Sequence, residues 1–139
     1  MHVQPIDLPE MTTQVRGGKY VVRGGVTLRG AIDISGAKNH ALAAMCAALL
    51  TDEDLILENV PDISDVDSLG ALLVSLGAEV ERLPNRAVRL NCRQVNIFEA
   101  PTDLISENRA SFQVMGPLVA RHGYAASAPP GGDVIGQRP

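Results

Sequence analysis

The chain has 139 residues and a formal net charge of −4, long enough for one domain with its own core and too weakly basic for a nucleic-acid surface. Two Phe, two Tyr and no Trp leave almost nothing for bases to stack on. The longest uninterrupted apolar run, Ala41 to Leu50, is too short to span a bilayer and reads as a core helix.

Residues 1–18 carry two prolines and no clear period, and read as a flexible N-terminal extension. The opening stretch includes Asp7 and Glu10 and lacks an apolar secretion core, so a cytoplasmic protein is expected. Residues 19–34 read as extended, with Tyr20-Val21-Val22 and Ile32-Asp33-Ile34 on either side of Gly24-Gly25. Asn39 to Leu50 predicts a helix, alanine-rich and apolar nearly all round, and therefore buried on most sides. Leu55 to Val60 reads as a strand. After Pro61, Ser64 is placed to cap a second helix, with Val66, Leu69, Leu73 and Leu76 on one face and Gly77 closing it.

Two short strands follow, Ala78 to Arg82 and Ala87 to Asn91, joined by Pro84 and Asn85. Asp103 to His122 predicts a third helix with Leu104, Phe112, Met115 and Val119 as its apolar stripe and Pro117 as a kink or restart. Tyr124 to Ala128 reads as a strand, and the chain closes on a Pro- and Gly-rich loop. This order predicts an α/β protein made of one complete unit and the opening of a second, so the chain reads as incomplete. Cys46 and Cys92 have no CxxC or His-rich context, which predicts buried free thiols rather than a disulfide or zinc site.

Two stretches carry candidate chemistry. Ile34-Ser35-Gly36-Ala37-Lys38-Asn39 puts a lysine and an asparagine where a helix begins, beside free backbone N–H groups and the positive end of the helix dipole. Locally this fits an anion site with close backbone approach, and equally Asn39 as a helix cap with Lys38 in water. In the terminal loop, Pro129-Pro130-Gly131-Gly132-Asp133 presents Asp133 at a tight turn and Arg138 follows before Pro139; a structural turn and a solvated charge are the plainer readings. Arg109, inside a mostly buried helix, requires an anion, which Asp103, Glu107 or a ligand can supply. His40 and His122 have no acid or cysteine at ligand spacing, so neither a metal site nor a triad is expected. Asp62, Asp65 and Asp67 read as first-turn helix charges.

With Ser35-Gly36-Ala37-Lys38-Asn39, Asn59-Val60-Pro61, Asp65-Val66-Asp67, Leu76-Gly77-Ala78, Arg109-Ala110-Ser111, Gly116 to Arg121 and Pro130-Gly131-Gly132-Asp133-x-Ile135-Gly136-x-Arg138-Pro139 in order, the sequence resembles the enolpyruvyl transferases. Among them it is similar to the UDP-N-acetylglucosamine 1-carboxyvinyltransferase family, which adds enolpyruvate to the sugar's 3-hydroxyl in the first committed step of peptidoglycan synthesis. EPSP synthases share the fold and chemistry, but the Gly-Gly-Asp-x-Ile-Gly-x-Arg-Pro loop resembles the cell-wall enzymes. The resemblance implies an inside-out α/β barrel of βαβαββ units, here incomplete, with a first repeat over 24–92 and a second begun over 96–139.

It further implies that Lys38 contacts phosphoenolpyruvate and Asn39 the sugar nucleotide, that Arg109 and Arg138 hold substrate anions, and that no metal or organic cofactor takes part. Asp133 stands where most members carry a cysteine, as a general acid toward the methylene carbon of phosphoenolpyruvate; having no thiolate, it implies insensitivity to the epoxide antibiotic fosfomycin. Gln113 stands where many members have tryptophan. The missing C-terminal part would hold further substrate contacts, so the isolated chain is expected to be inert. The alternative reading is a non-catalytic partner-binding chain or one half of a split enzyme, with neither nucleic acid nor membrane as partner.

Overall fold

The structure, a computed structural model, describes residues 14–16, 19–21, 25, 27, 29–107 and 109–129. It divides into two compact units, Met1–Ile34 and Ser35–Pro139. In the first, strands β1 (Gln14–Arg16) and β2 (Lys19–Val21) pair antiparallel, with Val15 opposite Tyr20. A strand thus lies inside the stretch read as an extension. The stretch at Ile32–Ile34, read as extended, forms no strand: residues 31–37 carry no regular structure, and Ile32 and Ile34 are 73% and 78% exposed. Alternating isoleucines favour a strand only where a neighbouring strand covers one face, and no ladder among the described residues includes this segment.

The second unit opens with helix α1 (Lys38–Ala47), which tightens into a 3-10 turn at Ala48–Leu50. Ala41, Leu42, Met45, Cys46, Ala48 and Leu49 are buried, whereas Ala43, Ala47 and Leu50 are exposed, so α1 is covered on one face rather than all round. Strand β3 (Leu55–Leu57) is shorter than the sequence suggests. Helix α2 (Ser64–Ser75) buries Val66, Leu69, Leu72 and Leu73, with Leu76 just beyond it. Its N-cap is Ile63, not Ser64, and no side chain caps it. Its C-terminus closes as expected: Gly77 has φ +103°, its N–H donates to Val74 at 2.9 Å, and the Ala78 N–H donates to Leu73 at 3.0 Å.

Strands β4 (Glu79–Leu83) and β5 (Ala87–Asn91) form a hairpin whose turn places Asn85 and Arg86 at φ 59° and 60°. The sheet order is β3-β5-β4, antiparallel throughout, with Leu57 and Arg82 both opposite Val88. Val88 and Leu90 are buried while Arg89 between them turns to the other face, the period-2 pattern of a sheet with one covered side. There Asn91 donates to Asp54 at 2.6 Å and Arg89 donates to both Asp54 oxygens at 2.9 and 3.0 Å, holding the Asp54 carboxyl below its usual range.

Beyond β5, strand β6 (Glu99–Ala100) pairs in parallel with β7 (Ala126–Ser127). The single predicted third helix is broken into α3 (Thr102–Glu107), a 3-10 segment at Arg109–Val114 and α4 (Met115–His122). Pro117 lies in the first turn of α4, where a missing N–H is harmless, so it marks a restart. The predicted stripe is corrected too. Phe112 and Val119 are 43% and 49% exposed, and the buried side chains are Ile105, Ser111, Val114 and Leu118. A 3-10 segment winds at three residues per turn, so burial steps from Ser111 to Val114 by three and on to Leu118 by four.

Candidate functional site

The first candidate site forms where residues 35–37 enter α1. Gly36 lines an open groove, but its N–H is already engaged. Its N–H donates to the Asn59 carbonyl at 3.0 Å, and a Cβ there would stand 2.3 Å from the same oxygen. Asn59 itself takes φ 55°, and the next N–H, of Val60, donates to Arg86 at 2.7 Å. The entry to α1 is therefore tied by backbone to the loop after β3 and, through it, to the β4–β5 turn. That cross-tie fixes where Lys38 and Asn39 begin the helix.

The N-cap of α1 is Ala37 in extended geometry, with no side-chain cap and no acid in the first turn. Asn39 is thus within the helix and is not its cap. Lys38 and Asn39 are both exposed. The Lys38 Nζ lies 3.3 Å from a carboxylate oxygen of Asp65, on the first turn of α2, so Lys38 is not simply a solvated charge. Arg82 meets the neighbouring acids, Asp67 at 2.7 Å and Asp62 at 3.6 Å. Reading Asp65 only as a helix-dipole charge missed this contact. The available signal was a lysine at a helix start whose own first turn offers no carboxylate.

Beside Lys38, an open groove of about 320 Å³ runs between α1 and the loop after β3, walled by Ala37, Ala41, Ala44, Leu57 and Val60 with His40, Glu58 and Asn59 among its polar lining. The 3-10 segment that begins with Arg109 packs against α1, the helix that carries Lys38. Gln113 is exposed on that segment. Asp133 and Arg138 lie outside the described residues.

The thiols and His122 do not join the site. Cys46 and Cys92 are buried and unbridged, and burial pushes their thiols up to about 12 and about 11. His122 stacks on Phe98 with ring centroids 4.6 Å apart. Among the described residues no group of three His, Cys, Asp or Glu is placed to hold a metal, and no helix is long and apolar enough to cross a membrane. Arg121, on α4, stood in the sequence only as the end of a motif, with no structural role read for it. Its Nη1 lies 3.0, 3.1 and 3.1 Å from the carbonyl oxygens of Leu49, Thr51 and Cys92, and its other terminal nitrogen donates to Asp52. It ties α4 to the end of the α1 region and to the exit of β5.

Residues 22–139 match the family model of EPSP synthase (3-phosphoshikimate 1-carboxyvinyltransferase). Proteins named UDP-N-acetylglucosamine 1-carboxyvinyltransferase from Salmonella arizonae, Salmonella paratyphi B and Salmonella newport are each 50% identical over 121 residues, 87% of this chain. The chain spans 28% of the length of those relatives. Among solved structures, the enolpyruvyl transferase NikO from Streptomyces tendae superposes with a TM-score of 0.65 at 28% identity, over 73% of this chain and 24% of that one. The ordered motifs, the mixed helix-and-strand fold and the family match lead to one assignment: the chain belongs to the EPSP synthase family of enolpyruvyl transferases.

Proposed function

We propose that this chain forms part of an enzyme that transfers enolpyruvate from phosphoenolpyruvate to the 3-hydroxyl of UDP-N-acetylglucosamine, releasing phosphate in the cytoplasm for peptidoglycan synthesis. The observation that carries this reading is the 50% identity with relatives named for that reaction, over 121 residues, a stretch long enough to include Lys38, Asn39 and Arg109. Lys38 supports it: an exposed cation at a helix start with no acid in the first turn suits an incoming anion. In this reading residues 24–92 form a first repeat and residues 96–139 begin a second.

Lys38, Arg109 and Arg138 surround the enolpyruvyl phosphate, and Asn39 contacts the sugar nucleotide. The sugar hydroxyl loses its proton as its oxygen bonds to the central carbon of phosphoenolpyruvate and the methylene carbon gains a proton; the bond from the central carbon to the phosphate oxygen then breaks as the new methyl group loses a proton, which restores the carbon–carbon double bond. Fixed cations stabilise the departing phosphate. Asp133 gives a proton to the methylene carbon, which requires surroundings that keep its carboxyl protonated near neutral pH.

The test replaces the matched residues of a Salmonella relative with those of this chain and follows phosphate release. Lys38→Ala and Arg138→Ala raise KM for phosphoenolpyruvate, Asn39→Ala raises KM for the sugar nucleotide, and Asp133→Ala lowers kcat by about 100-fold. Unchanged kinetics in Lys38→Ala and Asp133→Ala would refute the assigned roles.

A further inference from the structure

We infer that Asp65 is a positioning residue for Lys38: it holds the ammonium in place so that an anion arriving at the start of α1 meets a cation already oriented. This deepens the reading of Lys38 as a contact for phosphoenolpyruvate and rests on it. A cation at the N-terminal end of α1 opposes the helix dipole, and α1 has no acid in its own first turn to offset it. The compensating carboxylate comes from the first turn of α2, with Lys38 Nζ 3.3 Å from Asp65. Arg82 pairs with the flanking Asp62 and Asp67.

The side chains of Lys38 and Asp65 are 51% and 32% exposed. A pair this wet contributes little to stability, so the fold does not depend on it. Its chemistry suits positioning. An ammonium has three donors; one serves Asp65 and two remain for a ligand. Immobilising a free lysine side chain weakens anion binding by about ten- to thirty-fold, and Asp65 has already imposed most of that order. Against this, the carboxylate repels the anion. Across water at physiological salt, and at about twice the ion-pair distance, that amounts to about two-fold per unit charge. Ordering is the larger effect, so removal of Asp65 weakens binding.

Lys19 and Lys38 are the only lysines in the sequence, which makes the test direct. The 139-residue chain carrying Lys19→Arg and ¹³C-labelled lysine is titrated with phosphoenolpyruvate at constant ionic strength, and the Lys38 ε-carbon resonance is followed. The resonance moves on titration; Asp65→Ala raises the half-saturating concentration by about three-fold or more, and Asp65→Glu restores it to within about two-fold. Circular dichroism of the variants matches the parent. An Asp65→Ala chain that binds equally well or more tightly overturns the positioning role and leaves that of Lys38 intact. A Lys38 resonance that does not move in the parent chain overturns the role of Lys38 itself, and this inference with it.

Discussion

A Cβ at Gly36 would lie 2.3 Å from the Asn59 carbonyl oxygen, far inside van der Waals contact, and that oxygen also accepts the Gly36 N–H. Gly36→Ala must therefore push the helix entry away from the loop after β3 and break the bond that joins them. It is expected to lower unfolding free energy by about 2 kcal/mol, read by urea titration; an unchanged midpoint would contradict the cross-tie. The thiols offer a second check. Burial raises Cys46 and Cys92 from 9.0 to about 12 and about 11, so the unfolded chain loses these protons first as pH rises. Their contribution to stability is complete below pH 9.0 and is lost as pH climbs through 11 and toward 12. At neutral pH neither is a thiolate, and Asp133 supplies no sulfur. Fosfomycin is thus expected to leave no covalent adduct on the native chain, as read by intact mass; an adduct on either cysteine would show that its burial is wrong.

Among the elements, α2 and the β4–β5 hairpin were legible in the sequence because each carries its own local signals. Leucines recur at helical spacing before Gly77, and alternating residues flank Pro84 and Asn85. Residues 102–122 were not, since helical periodicity reads through a change of winding: the 3-10 segment at Arg109–Val114 moves burial onto Ser111, Val114 and Leu118. The contacts of Arg121 were equally hidden, because its acceptors at Leu49, Thr51 and Cys92 are distant in sequence. Arg121→Ala strands three carbonyls and is expected to destabilise the chain by about 3 kcal/mol, with Arg121→Lys recovering part of the loss. Equal thermal midpoints for Arg121→Ala and the parent would remove Arg121 from this role.

For the molecule as a whole, the family was legible in motifs such as Lys38-Asn39 and the Asp133–Arg138 loop, which periodicity cannot encode. What sequence could not supply was the company each residue keeps, above all Asp65 beside Lys38, which depends on how α1 and α2 pack. Family membership leaves the acceptor open between a sugar nucleotide and 3-phosphoshikimate, and the terminal loop favours the former. The decisive measurement is phosphate release from phosphoenolpyruvate by the Salmonella relative carrying this chain's matched residues, with each acceptor in turn. Release that depends on UDP-N-acetylglucosamine and falls by about 100-fold in Asp133→Ala is the predicted result. A folded chimera that is silent with the sugar nucleotide, or active only with 3-phosphoshikimate, would contradict it.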